Sequence, residues 1–311
     1  MTGAARLAPV APDAEAPARL KPLLVELGDL KRVRSAAAPG STAERLFRLA
    51  WARLAAGHDP GAVARETTAS ALAAARLGDL DAGTMRGLGL SAAEAGDVLA
   101  RALDEVAGHL DEALRTTLKG SLSGDPLPGP GPAPGFVEAL TRQPRAGVTC
   151  PGRPRIMLEP PENHAEHCLM VAVYGVVLSP SYGADPDTVF LAGLAHHLHN
   201  ARMPDSGFTG EMLIEPHLAR VMENATAMAL GELAPALRAR IEAARAVLPD
   251  AETPEGQAFH AADVADRVLQ IAQHLKAASL TMDVVLGEME LVHDGPVKAF
   301  HDRTLREMRI P

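Results

Sequence analysis

Aromatic side chains are scarce: they make up 3% of the 311 residues, with one Trp, two Tyr and six Phe. Sheets draw on aromatic and β-branched residues, whereas alanine, abundant here, is the strongest helix former. An all-α fold is therefore expected. Cysteine is nearly absent too, and Cys150 and Cys168 are too few for a disulfide framework and lack the spacing of a metal clip, so both are read as reduced thiols. No run of about 18 apolar residues occurs, which argues against a membrane-spanning helix. Nor does the opening Met1-Thr2-Gly3-Ala4-Ala5-Arg6-Leu7 resemble the apolar core of a secretion signal, so a cytoplasmic location is expected. Basic excess is also lacking. With a formal charge of -9 there is no strong nucleic-acid signal and no general attraction to anionic membrane, although a local basic pocket remains open. The 47% of hydrophobic residues suffices for a sizeable core.

Four segments follow from the punctuation of the chain. Residues 1–18, with Pro9, Pro12 and Pro17, read as a flexible arm. Residues 19–123 read as a separate helical domain. Ser41-Thr42-Ala43-Glu44 and Ser91-Ala92-Ala93-Glu94 have the form of capping boxes, and Asp59-Pro60 that of an N-cap followed by proline in the first turn. Leu46, Leu49, Ala50 and Leu54, then Val98, Leu99, Leu103, Val106, Leu110 and Leu114, recur at helical spacing, and Trp51 is expected to join their core. Residues 124–135, dominated by proline and glycine, exclude regular structure and mark a linker. Residues 136–311 form the second helical unit, with helices expected near 162–178, from Asp185-Pro186 into the paired histidines, near 212–230 and 234–247, from Thr253-Pro254 to about 278, and ending near Met308. The stretch 203–211 between them reads as a loop.

Histidine is distributed unevenly. Ten of the twelve lie after the linker, and His58 and His109 alone precede it. His167 sits on an apolar helix, His196 and His197 leave the end of the next, and Asp263 stands on a long helix where a buried carboxylate needs a partner. Imidazole and carboxylate together suit divalent first-row metals, so these residues are the candidate ligands of an ion such as Mn, Fe, Co or Zn.

These residues resemble the HD-domain metal-dependent phosphohydrolases, whose order is a His, a His-Asp doublet and a distant Asp. His167-Cys168-Leu169-Met170 is similar to the family's first-histidine helix, and Leu191-Ala192-Gly193-Leu194-Ala195-His196-His197-Leu198 to its doublet helix. Asp263-Val264-Ala265-Asp266-Arg267 and Thr209-Gly210-Glu211 resemble the branch that includes the 5′-deoxynucleotidases. The resemblance implies an HD-like helical bundle over roughly residues 155–311. It also implies an ion held by His167, His196, His197 and Asp263, and hydrolysis of a nucleotide or other small phosphate ester by a metal-bound water. The chain departs from the pattern at His197, which replaces the doublet's aspartate, and at Asn200, which stands where that branch has its acid–base glutamate and cannot itself transfer a proton.

The catalytic region is therefore assigned to His199, Asn200 and Glu211. His199 has the ordinary pKa best suited to proton transfer. Arg202, Asp205 and Ser206 are expected to bind substrate. His164, His217, His260 and Asp266 are candidates for additional ligands or for groups supporting the ligands, and exchange of roles between Asp263 and Asp266 is left open. A homo-oligomer is compatible with the sequence. Two other functions stay open: an HD-type iron oxygenase with a second metal, and a catalytically degenerate HD domain acting as a binding or interaction module.

Overall fold

The computed structural model of the protein describes residues 15–36, 38–123, 127, 129–275 and 281–310. Among them there is no strand, and three isolated bridges, such as Val148 with Ile156, tie loops together. The expected all-α fold is observed. Before the linker come α1 (Ala16–Gly28), α2 (Thr42–Ala55), α3 (Pro60–Leu77), α4 (Ala82–Gly87), α5 (Ala92–Val106) and α6 (Glu112–Ser123). After it come α7 (Gly135–Arg142), α8 (His164–Tyr182), α9 (Pro186–Ala195), α10 (Gly207–Ile214), α11 (Leu218–Leu230), α12 (Pro235–Arg245), α13 (Pro254–Leu275) and α14 (Lys298–Glu307).

Helix starts follow their local chemistry. Asp59 accepts from the Ala62 amide with Pro60 in the first turn, and Ser91 and Glu94 close both halves of a capping box. Ser41 caps α2 in the same way, but Glu44 does not return the bond. Its carboxylate pairs with Arg48 and accepts from Asn163 Nδ2 at 3.1 Å, tying α2 to the start of α8.

Three boundaries differ from expectation, one being the helix expected near 212–230, which is broken at residues 215–217 between α10 and α11. The arm expected to reach residue 18 gives way to helix at Ala16, because Pro17 lies in the first turn, where its missing N–H costs nothing; residues 1–14 lie outside the described residues. The loop expected over 203–211 turns helical at Gly207. That residue has φ +70, and its amide donates to Asp205 Oδ1 at 2.9 Å, closing the turn that starts α10. Part of the linker, residues 124–126 and 128, lies outside the described residues, and 129–134 have no regular structure.

The architecture centres on α8. Every residue from His164 to Ser179 is buried, so this helix has no solvent face and is wrapped by α1, α2, α3, α7, α9 and α13. The helices before the linker thus pack directly onto those after it, within one continuous apolar cluster. Trp51, fully buried as expected, meets Phe136 of α7 edge-on with ring centroids 4.9 Å apart. Glycine lets α9 approach α8 very closely: a Cβ at Gly193 would stand 2.6 Å from the backbone of Ala172. That approach brings the end of α9 beside His167.

Candidate metal centre

His167 is the innermost member of the site. It is fully buried one turn into α8, and Asp266 Oδ2 of α13 lies 2.7 Å from its Nδ1. A carboxylate can only accept, so Nδ1 carries a proton, and Nε2, on the opposite edge, is the atom turned towards Asp263 and His196.

The other two histidines are anchored in the same sense. His196, at the C-cap of α9, has Nδ1 2.7 Å from the Gly193 carbonyl oxygen, a pure acceptor. His197 Nδ1 is 2.8 Å from Asn200 Oδ1, and the Asn200 amide nitrogen is oriented by donation to the Met203 carbonyl. Each ring is thereby held as the Nδ1–H tautomer, with Nε2 left as a ligand atom. Burial, and then the neighbouring rings, push the pKa of both His196 and His197 well below the ordinary value, so both are neutral.

The unprotonated edges converge. His167 Nε2 and His196 Nε2 are 3.1 Å apart, and Asp263 Oδ1 lies 3.2 Å from the former and 4.0 Å from the latter. One nitrogen from each of His167, His196 and His197 lies within 4.8 Å of the others. Burial alone would raise the Asp263 pKa, but His167 and Arg267 outweigh it and hold the carboxylate ionised. Two imidazole nitrogens and a carboxylate oxygen at these distances need a positive charge among them, and a bound cation would supply it. The donor set, three imidazoles and one carboxylate, fits a divalent first-row ion. Asp263 and Asp266 do not compete for one role: one faces the converging nitrogens and the other holds His167 from behind.

The cluster opens into a cavity of about 730 Å³. His196, His197 and Asp263 lie on its wall, together with four arginines, Arg145, Arg238, Arg245 and Arg267. His199, Asp205, Glu211 and His260 of the expected site also line it. Asp205 accepts from the amides of Ala146 and Gly207, each at 2.9 Å, and lies 3.4 Å from His164 Nε2. Its pKa is held well below the usual carboxylate range: burial acts upward and is outweighed by His164 and the two amides. His164 is buried behind His197, the ring centroids being 4.7 Å apart.

Other expected residues are placed differently. Burial pushes His199 down to about 4, which removes the near-neutral pKa that had recommended it as the acid or base. Glu211 moves the opposite way: burial, and then the charge of Asp205, raise it. The Asn200 amide oxygen faces His197 Nδ1, and the residue does not line the cavity. Arg202 pairs with Glu232 at 2.7 Å, largely exposed and away from the cavity. Neither Ser206, beside the start of α10, nor His217, exposed before α11, lines the cavity.

Sequence reasoning missed Arg145, Arg245 and Arg267. Arg145 stands in the connection between α7 and α8, with Nε 3.6 Å from Glu162 Oε2 and a buried Nη1 that has no partner among the described residues. Arg267 was legible in part, since it lies four residues after Asp263 and so shares its helix face, with Nη1 3.5 Å from Asp263 Oδ2. Lys31 was missed as well. It is buried, and its Nζ donates to Glu162 and, at 2.6 Å, to Asp266.

The HD domain family model matches residues 137–299, more than half of the chain and the part that contains every histidine of the cluster. No curated protein and no solved structure gives a significant match. Among the described residues no helix is long and apolar enough to cross a membrane. From the family match, supported by the all-helical fold, we conclude that this chain belongs to the HD domain family.

Proposed function

We propose that the protein is a metal-dependent phosphohydrolase acting on a small phosphate ester, a nucleotide being the favoured class. One divalent ion would be held by His167, His196, His197 and Asp263. The observation that carries the reading is the convergence of one nitrogen from each of three histidines, whose rings are oriented by acceptors at Nδ1, at the wall of an arginine-lined cavity. Such an ion supplies Lewis acidity and makes a bound water nucleophilic near neutral pH.

The chain's own groups supply the rest. Arg145 brings a guanidinium to the cavity wall, a charge suited to a phosphoryl group. Arg267 adds positive charge beside Asp263. Glu211, its pKa raised by burial, is the cavity group best able to deliver a proton to a leaving oxygen. Asn200 keeps His197 oriented.

An iron oxygenase with two metals is less well supported. Glu162, His167 and Asp266 form a second group close enough to hold an ion, but the ammonium of Lys31 already bonds to both carboxylates. The binding-module reading draws on the carboxylates lost at His197 and Asn200. Phosphate release from a nucleotide panel with Mn²⁺, Co²⁺ or Fe²⁺, abolished in His196→Ala, is the expected result. Absence of release with every metal would sink the hydrolase reading.

A further inference from the structure

Lys31 belongs to the helices before the linker, yet its side chain ends beside the candidate metal centre. It follows α1, in the one-turn segment Asp29–Lys31, and is 4% exposed. Its partners lie far away in sequence, Glu162 by 131 positions and Asp266 by 235. Asp266, 1% exposed, uses Oδ1 for Lys31 and Oδ2 for His167 Nδ1. A single carboxylate thus bridges an ammonium from the N-terminal half and the innermost histidine.

A buried ion pair can serve packing alone, and taking an ammonium out of water is costly unless its donors are satisfied. What sets this pair apart is the second oxygen. Asp266 and Glu162 each offer an oxygen within 4.8 Å of the other and of a His167 nitrogen. Without the ammonium two buried carboxylates would face each other, with Arg145 beside Glu162 as the remaining cation, and Asp266 would relieve the repulsion by taking up a proton or by turning from its place behind His167, either of which weakens its hold on Nδ1. The rotamer that holds His167 as a ligand therefore depends on a cation outside the segment matched by the HD domain family model.

We infer that Lys31 is a positioning residue of the metal centre: its ammonium holds Asp266 against His167 Nδ1, so the N-terminal helical half completes a site whose ligands all come from the other half. This rests on the reading of the histidine cluster as a metal site. The test uses the full-length chain and Co²⁺, followed by calorimetric titration and by the visible ligand-field spectrum, in Lys31→Met, Glu162→Gln and the double variant. The double variant removes one positive and one negative charge, which preserves the net charge of the buried group and keeps the test valid if Lys31→Met does not fold.

Loss of a group that orients a ligand typically weakens metal binding by about 10–100-fold. We expect a loss in that range, with an altered ligand-field spectrum, in Lys31→Met against the parent chain, and a smaller loss of the same sign in the double variant against Glu162→Gln, where no facing carboxylate repels Asp266 and only the hydrogen bond from the ammonium is gone. Folded variants that bind Co²⁺ as tightly as those references, with the same spectrum, would overturn the inference while leaving the metal site standing. Parent protein that binds no Co²⁺, or binds it equally well as His196→Ala, would overturn the metal reading and this inference with it.

Discussion

Gly193→Ala is a strict test of how the fold positions the site, because one methyl group sets packing against ligand geometry. The new Cβ would lie 2.6 Å from both the N and Cα of Ala172 and 3.0 Å from its Cβ. Those are backbone atoms in the middle of fully buried α8, so no rotamer change relieves the contact. Ordinary contact begins near 3.4 Å, and α9 must retreat from α8 by roughly 0.8 Å to reach it. Overpacking of this kind costs about 1–3 kcal/mol. At about 2 kcal/mol, and at the shallow slope expected of a chain this long, the melting temperature should fall by about 4 °C. The displacement also exceeds the roughly 0.2 Å tolerance of metal–ligand distances, and α9 is the element that carries His196 and His197. Co²⁺ affinity should therefore fall by at least about tenfold, the scale of a disturbed ligand support. Gly175→Ala is the control at the same helix pair: its Cβ would meet the Val189 side chain, which has room to respond as a backbone does not, so its effect should be smaller. Differential scanning calorimetry with metal titration decides the matter. A Gly193→Ala protein that melts within about 1 °C of the parent and binds Co²⁺ equally well would refute the argument.

Two further outcomes are expected. Asn200→Ala removes the acceptor of the His197 Nδ1 proton and should weaken metal binding about tenfold with little change in melting temperature; titration calorimetry with unchanged affinity would count against the orienting role. Stability should also fall with acid. Burial pushes His293 and His301 down to about 4, so the native state keeps them neutral while the unfolded chain takes up protons from the ordinary value near 6.5. Their contribution is present above pH 6.5 and is lost as pH falls towards 4. Urea midpoints across that range should decline in the parent and decline less steeply in His301→Gln, and equal slopes would contradict the assignment.

Much of the scaffold was legible because local chemistry dictates it. Asp59-Pro60, Ser91 with Glu94, and Asp185-Pro186 start helices where their capping atoms imply, and the uneven distribution of histidine marked the region of the site. The faces of the site were harder to read. Asp263 and Asp266, three residues apart, share one side of α13, and spacing alone could not show that they address opposite edges of the same imidazole. Asn200 looked like a lost catalytic group, and its actual partner, His197 Nδ1, became visible only through the turn that follows α9. Lys31 and Arg145 gave no local signal: each sits in a stretch indistinguishable from charged surface, and each is defined by partners brought in by the fold. Buried charge pairs of high sequence separation are properties of tertiary packing, and periodicity carries no information about them.

The Lys31 ammonium has one more consequence, for exchange with the surroundings. An ion bound through histidines is lost to chelators and replaced by competitors, at a rate and equilibrium set by its free concentration. A cation attached to the polypeptide has no free form and answers to none of these. Of the two acidic groupings around His167, the one formed by Glu162 and Asp266 therefore keeps its positive charge whatever the free metal concentration, and only the one that contains Asp263 would depend on a dissociable ion.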